Sequence, residues 1–190
     1  MRQIILASIS PRRRQVFKFL GLKFKSVDSG YKEIVKKSLK PAELVKFLAL
    51  GKAKAAAKKY PKAVIIAADT MIVFKGKVIG KPKSKKDAEQ MLNNFSGKSN
   101  LVITGTVILD AASKQVIVTV AETKIYFKKL SAHHINSYIE SGEPFDKAGG
   151  YNPQGAGFGL IKNIEGDFTN SLGLPMTQVF NALKKLGIKN

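Results

Sequence analysis

The sequence predicts an α/β (α+β) protein built on a mixed β-sheet flanked by helices, and three observations carry that expectation. Apolar, β-branched runs alternate with segments of helical period along most of the 190 residues. The run "AVIIAADTMIVF" (63–74) is too apolar and β-branched for anything but a core strand. Two long strand-like stretches, 100–110 and 115–127, are close enough to form an antiparallel hairpin, so the sheet is mixed rather than purely parallel.

The elements follow in order. Residues 3–8 read as a buried strand, after which Ser10 can cap a helix that has Pro11 at its first position. Val16, Phe17, Phe19 and Leu20 recur at helical spacing, and Gly21 ends the helix. Pro41 opens a second helix carrying Leu44, Val45, Leu48 and an alanine-rich tail to about Lys59. After the core strand, "KGK" turns the chain into "VIGKP", and Ser84 with Asp87 forms the signature of a capping box for a helix to about Asn94. Ser131 begins another helix beyond the hairpin. A glycine-rich loop (146–160) then runs into a strand, and residues 177–187 form a closing helix. With no internal repeat, linker or low-complexity tract, residues 1–190 are expected to form one domain.

The composition narrows the class. A hydrophobic content of 44% with 24% charge is ordinary for a globular chain. No apolar run approaches the ~18–20 residues of a membrane span, and no signal peptide is expected from the first residues. The absence of cysteine excludes disulfides and thiolate metal sites and fits a cytoplasmic protein. A formal net charge of +20 invites nucleic acid, an acidic membrane surface or a polyanionic small molecule. Most of that charge comes from 29 lysines scattered singly or in pairs, the pattern of a solvated surface.

The arginines are different. Of four, three are consecutive: Arg12, Arg13 and Arg14, in "SISPRRRQ". A strand turning into a helix leaves backbone N–H groups suited to phosphate, and arginine's planar fork grips phosphate oxygens in pairs. Basic residues at a helix start oppose its dipole, which points to a compensating anion. Consecutive helical residues diverge by about 100°, so Arg12 and Arg13 are the two expected to share a ligand.

Asp69 is the second anomaly, because its carboxylate emerges inside a strongly apolar strand, where an isolated charge is costly. It calls for a metal, a cation or a catalytic use, and it is a natural hard oxygen ligand for Mg²⁺ or Mn²⁺. Lys52 and Lys81, added to the arginines, could neutralise a triphosphate. Other motifs fail. "GKS" at 97–99 lacks the first glycine of a P-loop, since Leu92 stands there. His133 and His134 are adjacent in a helix without a third ligand and read as surface residues. Neither a dinucleotide fingerprint nor a serine-hydrolase elbow is present.

Four blocks, "LASISPRR", "AADT", "IGKP" and "GEPFDKAGGYNPQGAGFGLIKNIEGDFTNSLGLP", run in order from residue 6 to about 176. Together they resemble the signature of the Maf family of nucleoside triphosphate pyrophosphatases. The resemblance implies a Maf/Ham1-like fold: an elongated mixed sheet in two lobes with a central cleft. It implies cleavage between the α- and β-phosphates of a nucleoside triphosphate, assisted by a divalent metal cation (Mg²⁺ or Mn²⁺). Asp69 falls on the family's catalytic aspartate, and Ser8, Arg12, Arg13, Lys52 and Lys81 match residues lining its phosphate site. Glu33 matches a carboxylate on the metal side. Arg12, Thr70 and Gln154 match the dTTP/UTP branch; a 7-methyl-GTP branch replaces them with Trp, Gln and Glu. A homodimer is common in the family, and its biological role is cleansing of nucleotide pools, with a proposed link to cell-division arrest. Three departures mark this chain: Lys32 before Glu33 where an acidic pair is frequent, Asn100 where histidine is usual, and Pro153 before Gln154. The competing class is a non-enzymatic nucleic-acid-binding or cell-division partner protein, motivated by the +20 charge, which gives no reason for Asp69.

Overall fold

The computed structural model describes residues 2–34, 36 and 38–188. Seven strands form one mixed sheet: β1 (Ile4–Leu6), β2 (Lys25–Ser26), β3 (Val64–Phe74), β4 (Lys77–Ile79), β5 (Ser99–Asp110), β6 (Val116–Phe127) and β7 (Ile161–Glu165). Their order is β2-β1-β3-β5-β6-β7, with β4 also on β3. The helices are α1 (Pro11–Phe17), α2 (Pro41–Lys59), α3 (Lys85–Phe95), α4 (Ala132–Glu140), α5 (Phe168–Ser171) and α6 (Met176–Lys185). The chain divides into two compact units. One holds the residues up to Thr70, Ile103–Ala121 and those from Asp167 on; the other holds Met71–Val102 and Glu122–Gly166.

In the first unit the period-2 alternation of the strands is read by helices on both faces. Ile4 and Leu6 of β1, Val64, Ile66 and Ala68 of β3, and Ile108 of β5 pack with Val16 and Phe17 of α1 and Val179, Ala182 and Leu183 of α6. The intervening residues, Ile5, Ala7, Ile65, Ala67, Val107 and Leu109, pack with Ala49, Ala53 and Ala56 of α2. β1 and β3 are parallel, with Leu6 opposite Ile66. A strand buried on both sides must be apolar throughout, which is why β3 reads as an unbroken hydrophobic run until Asp69. The alanines of α2 let its backbone approach the sheet. Gly105 of β5 marks the closest approach, since a Cβ there would lie 2.5 Å from the carbonyl carbon of Val45.

In the second unit, Phe95, Phe127 and Tyr151 form an aromatic cluster, with Phe95 and Phe127 stacked at 5.1 Å and Tyr151 edge-on to both. α3 and α4 close over it with Leu92, Ile135 and Tyr138. α3 starts at Ser84, whose hydroxyl accepts from Asp87 N at 3.1 Å, as the capping pattern implied. β7 pairs antiparallel with β6.

Several expectations are corrected. The first strand is three residues rather than six, because the chain leaves the sheet at Ala7 to form the turn into α1. α1 tightens after Phe17 into a 3₁₀ turn ending at left-handed Gly21 (φ +67°), and Phe19 within that turn is 73% exposed. β2 and α5 are too short to leave a periodic signature. The glycine-rich segment is a succession of 3₁₀ turns rather than an open loop.

Candidate active site

The β1–α1 turn forms much as its sequence suggests. Ser10 N donates to Ser8 Oγ at 3.2 Å, and Arg13 N donates to Ser10 Oγ at 3.4 Å, which caps α1. Ser26 Oγ donates to the Ser8 carbonyl at 2.6 Å and ties the turn to β2. Two backbone N–H groups are thus spent inside the turn. Arg12 and Arg13 are half-buried and Arg14 is exposed, so the helical rotation singles out the expected two.

β3 then divides its side chains between the two faces. Odd-numbered residues face α2, and Asp69 continues that row past Ala67; even-numbered residues face α1 and α6, and Thr70 continues that row past Ala68. On the α2 side, Lys52 follows Ala49 by three residues and precedes Ala56 by four, which sets it on the helix face turned to the sheet. Its Nζ donates to Asp69 Oδ1 at 2.5 Å. The same ammonium pairs with Glu33 Oε1 at 2.7 Å, so one lysine joins two carboxylates. On the other side, Arg13 Nη2 donates to Thr70 Oγ1 at 2.9 Å and Arg13 Nε donates to the Gly173 carbonyl at 2.7 Å.

Burial sets the electrostatics. Asp69 is 8% exposed, and loss of hydration raises its pKa above the ordinary carboxylate value. The charge and hydrogen bond of Lys52, and the charge of Arg13, pull it back without cancelling the rise. Burial likewise lowers the Arg13 pKa, opposed by Asp69 and reinforced by Arg12. A carboxylate destabilised by burial yet held by a cation is a stronger proton acceptor than one in water.

Glu33 owes its place to a loop that the sequence did not flag. Asp28 Oδ1 accepts from Gly30 N at 2.9 Å and Ser29 Oγ accepts from Tyr31 N at 3.2 Å, winding the segment tightly. The Tyr31 ring then lies over Gly51 of α2, where a Cβ would meet ring carbons at 2.3–2.7 Å. Gly51, one residue before Lys52, is the gap that admits the ring.

Lys81 and Gln154 belong to the second unit. Lys81 is exposed and follows Gly80, whose carbonyl accepts from Gly149 N at 2.8 Å. Gln154 is half-buried in extended backbone, its N–H donated to Asn152 Oδ1 at 3.3 Å. Asn152 is held in turn by its own N–H, donated to Tyr138 Oη at 2.9 Å. Of the departures noted above, Pro153 is buried within this turn, and Asn100 Oδ1 accepts from Tyr151 Oη at 2.9 Å.

The first unit thus brings Arg13 and Thr70 together on one face of β3 and Glu33, Lys52 and Asp69 together on the other. The Ser8 turn leads into the helix that carries Arg12 and Arg13. Sequence reading missed Thr104, whose hydroxyl lies 3.0 Å from that of Thr70, and also Gly173 and the Tyr31–Gly51 contact. No group of three or more His, Asp or Glu side chains among the described residues could hold a metal ion by itself. Asp69 and Glu33 nevertheless form a hard-oxygen pair about one ammonium. That donor set suits Mg²⁺, which takes one or two carboxylates and completes its shell with water and substrate phosphate.

A mixed sheet of this connectivity, with helices on both faces of its parallel part, defines a class before it defines a family. The structure is similar to that of the Staphylococcus aureus Ham1 protein, with a TM-score of 0.53 over 97% of both chains at 16% identity, which is a likeness of fold alone. Residues 3–186 match the family described as Maf-like protein, and the chain belongs to it. Its relatives include proteins named dTTP/UTP pyrophosphatase from Pelotomaculum thermopropionicum (43% identical over 98% of both chains) and Methanococcoides burtonii (41% over 99% of this chain and 97% of the relative). A third, from Geobacillus, is 40% identical over 98% of this chain and the whole of the relative.

Proposed function

We propose that this protein is a nucleoside triphosphate pyrophosphatase that hydrolyses dTTP and UTP to the monophosphate and pyrophosphate. The observation that carries the reading is the buried, cation-held carboxylate of Asp69 on the strand whose next residue holds Arg13. Full-length relatives named for that activity support it. In this mechanism Asp69 accepts a proton from water as the water oxygen attacks the α-phosphorus. The bond from the α-phosphorus to the oxygen bridging to the β-phosphorus breaks, and pyrophosphate leaves with the electron pair. Lys52 keeps Asp69 ionised and aligned while also holding Glu33. Arg12 and Arg13 bind phosphate oxygens, and electrostatic positioning of this kind dominates phosphoryl-transfer catalysis. Ser8 and Lys81 are assigned to substrate binding on the family pattern, and Gln154 to the base, because its amide can both donate and accept as a thymine or uracil edge requires. A divalent cation, held by Asp69 and Glu33, supplies charge neutralisation on the phosphates and a more acidic water when bound.

The test is pyrophosphate release from dTTP, UTP, CTP, GTP and 7-methyl-GTP with Mg²⁺ and with Mn²⁺, beside Asp69→Asn. Preferential turnover of dTTP and UTP, lost in the variant, is the expected result. Turnover of another base would keep the chemistry and refute the base assignment of Gln154. No pyrophosphate from any nucleotide would sink the reading, and salt-dependent nucleic-acid binding would then be measured as the alternative.

A further inference from the structure

Arg13, Thr70, Thr104 and Gly173 form a closed hydrogen-bond cluster within the first unit. Arg13 has five N–H groups. Nε is spent on the Gly173 carbonyl and one Nη2 hydrogen on Thr70 Oγ1, both on one edge of the fork. The Thr70 hydroxyl has one hydrogen and two lone pairs. It accepts from Arg13, lies 3.0 Å from Thr104 Oγ1, and stands 3.4 Å from the Gly173 carbonyl as its other acceptor. Its single hydrogen is therefore committed inside the protein. Thr104 is 0% exposed, so its hydroxyl touches no ligand and serves only Thr70. Gly173 sits at φ +91°, and a Cβ there would lie 3.2 Å from Arg13 Nε and 3.3 Å from Thr70 Oγ1, which reserves the position for glycine.

We propose that Thr104 is a positioning residue that fixes the Arg13 fork through Thr70, so that Thr70 acts on the phosphates of the ligand by way of Arg13 and not on its base. The proposal deepens the pyrophosphatase reading and rests on it only for the identity of the ligand. One edge of Arg13 is clamped by two acceptors, leaving the opposite edge oriented for phosphate oxygens before binding. Such pre-organisation lowers the conformational cost of holding a polyanion. It also separates the two kinds of information in the site: a residue that orients a phosphate-binding arginine affects every nucleotide equally.

The experiment measures inorganic tripolyphosphate binding by calorimetry for the wild type, Thr104→Val, Thr104→Ser and Thr70→Val, then kcat and KM with dTTP, UTP and CTP. Removing the Thr104 hydroxyl is expected to weaken tripolyphosphate binding by about tenfold, the scale of one hydrogen bond supporting a charged group. Thr104→Ser should restore it. The loss in kcat/KM should be shared by all three nucleotides for both valine variants, and Thr104→Val should add nothing in an Arg13→Lys background. Unchanged tripolyphosphate affinity in Thr104→Val would overturn the proposal, as would a changed dTTP-to-CTP ratio in Thr70→Val. If Thr104→Val does not fold, Thr70→Val decides by the same two readouts. Because tripolyphosphate carries no base and needs no turnover, loss of the pyrophosphatase reading alone would show as an inactive wild type that still binds it in a Thr104-dependent way.

Discussion

Asp69 and Thr70 are consecutive in β3 yet work on opposite faces of the sheet, Asp69 bonded to Lys52 of α2 and Thr70 to Arg13 of α1. The pleat of one strand thereby recruits two helices on opposite sides of the sheet to one point in the chain. The residue bonded to Lys52 and the residue bonded to Arg13 are thereby joined by a single peptide unit, which is covalent and cannot drift.

The first consequence concerns pH. Burial raises the Asp69 pKa and Lys52 lowers it, so the acid limb of the kcat/KM profile should lie above the ordinary carboxylate range. Lys52→Met removes the opposing influence and should move that limb to still higher pH, with kcat/KM also reduced. A pH–rate profile of the two proteins on dTTP checks it; a limb that stays in place or moves down would exclude Asp69 as the proton acceptor.

Asp69 also links function to stability, and the sign is unusual for a carboxylate. Its folded pKa is raised, so the folded state binds more protons than the unfolded chain between the ordinary value of 3.8 and the raised one. Stability is lost as pH rises through that window and stays lower above it. Asp69→Asn cannot ionise and should gain stability relative to the wild type over the same window, while kcat falls by roughly 10²–10⁴, the range for loss of a general base. Urea melts at several pH values would show a gap between the two proteins widening with pH.

Gly51→Ala should separate fold from activity. Alanine improves an α-helix interior by up to about 1 kcal/mol over glycine, but its methyl occupies the space of the Tyr31 ring. Displacing Tyr31 displaces Glu33, two residues on. The melting temperature should hold or rise while kcat falls several-fold with saturating dTTP. Unchanged kcat would mean that Glu33 contributes nothing at the Lys52 ammonium.

Gly105→Ala tests the packing that sets Lys52 against Asp69. The added methyl would meet Val45 backbone 2.5 Å away, and a helix backbone cannot step aside as a side chain can. A loss of about 1–3 kcal/mol is expected, the usual range for overpacking. Chemical denaturation measures it, and a neutral result would show that α2 is not pinned at this point.

Much of this was legible before the structure. The Ser10–Pro11 helix start, the capping of α3 by Ser84, the β5–β6 pair and the anomaly of Asp69 all express rules that act over a few residues. The 3₁₀ turn after Phe17 carried no signal, because the apolar spacing of α1 runs on through Phe19 and Leu20 without a break. Thr104 and Gly173 carried no signal, because a threonine in a strand and a glycine after a short helix are ordinary in isolation.

Local sequence specifies the longer strands and helices and the apolar side of each, and it places a carboxylate and a pair of arginines where charge is costly or uncompensated. Those features follow from local sterics, periodicity and hydration, which each segment carries within itself. The partners come from the packing of distant segments: Arg13 with Gly173 across 160 residues, Thr70 with Thr104 across 34, Asp69 with Lys52 across 17. Periodicity states which face a side chain is on, whereas which atom it meets there depends on how separate elements stack, and stacking is a property of the packed core as a whole.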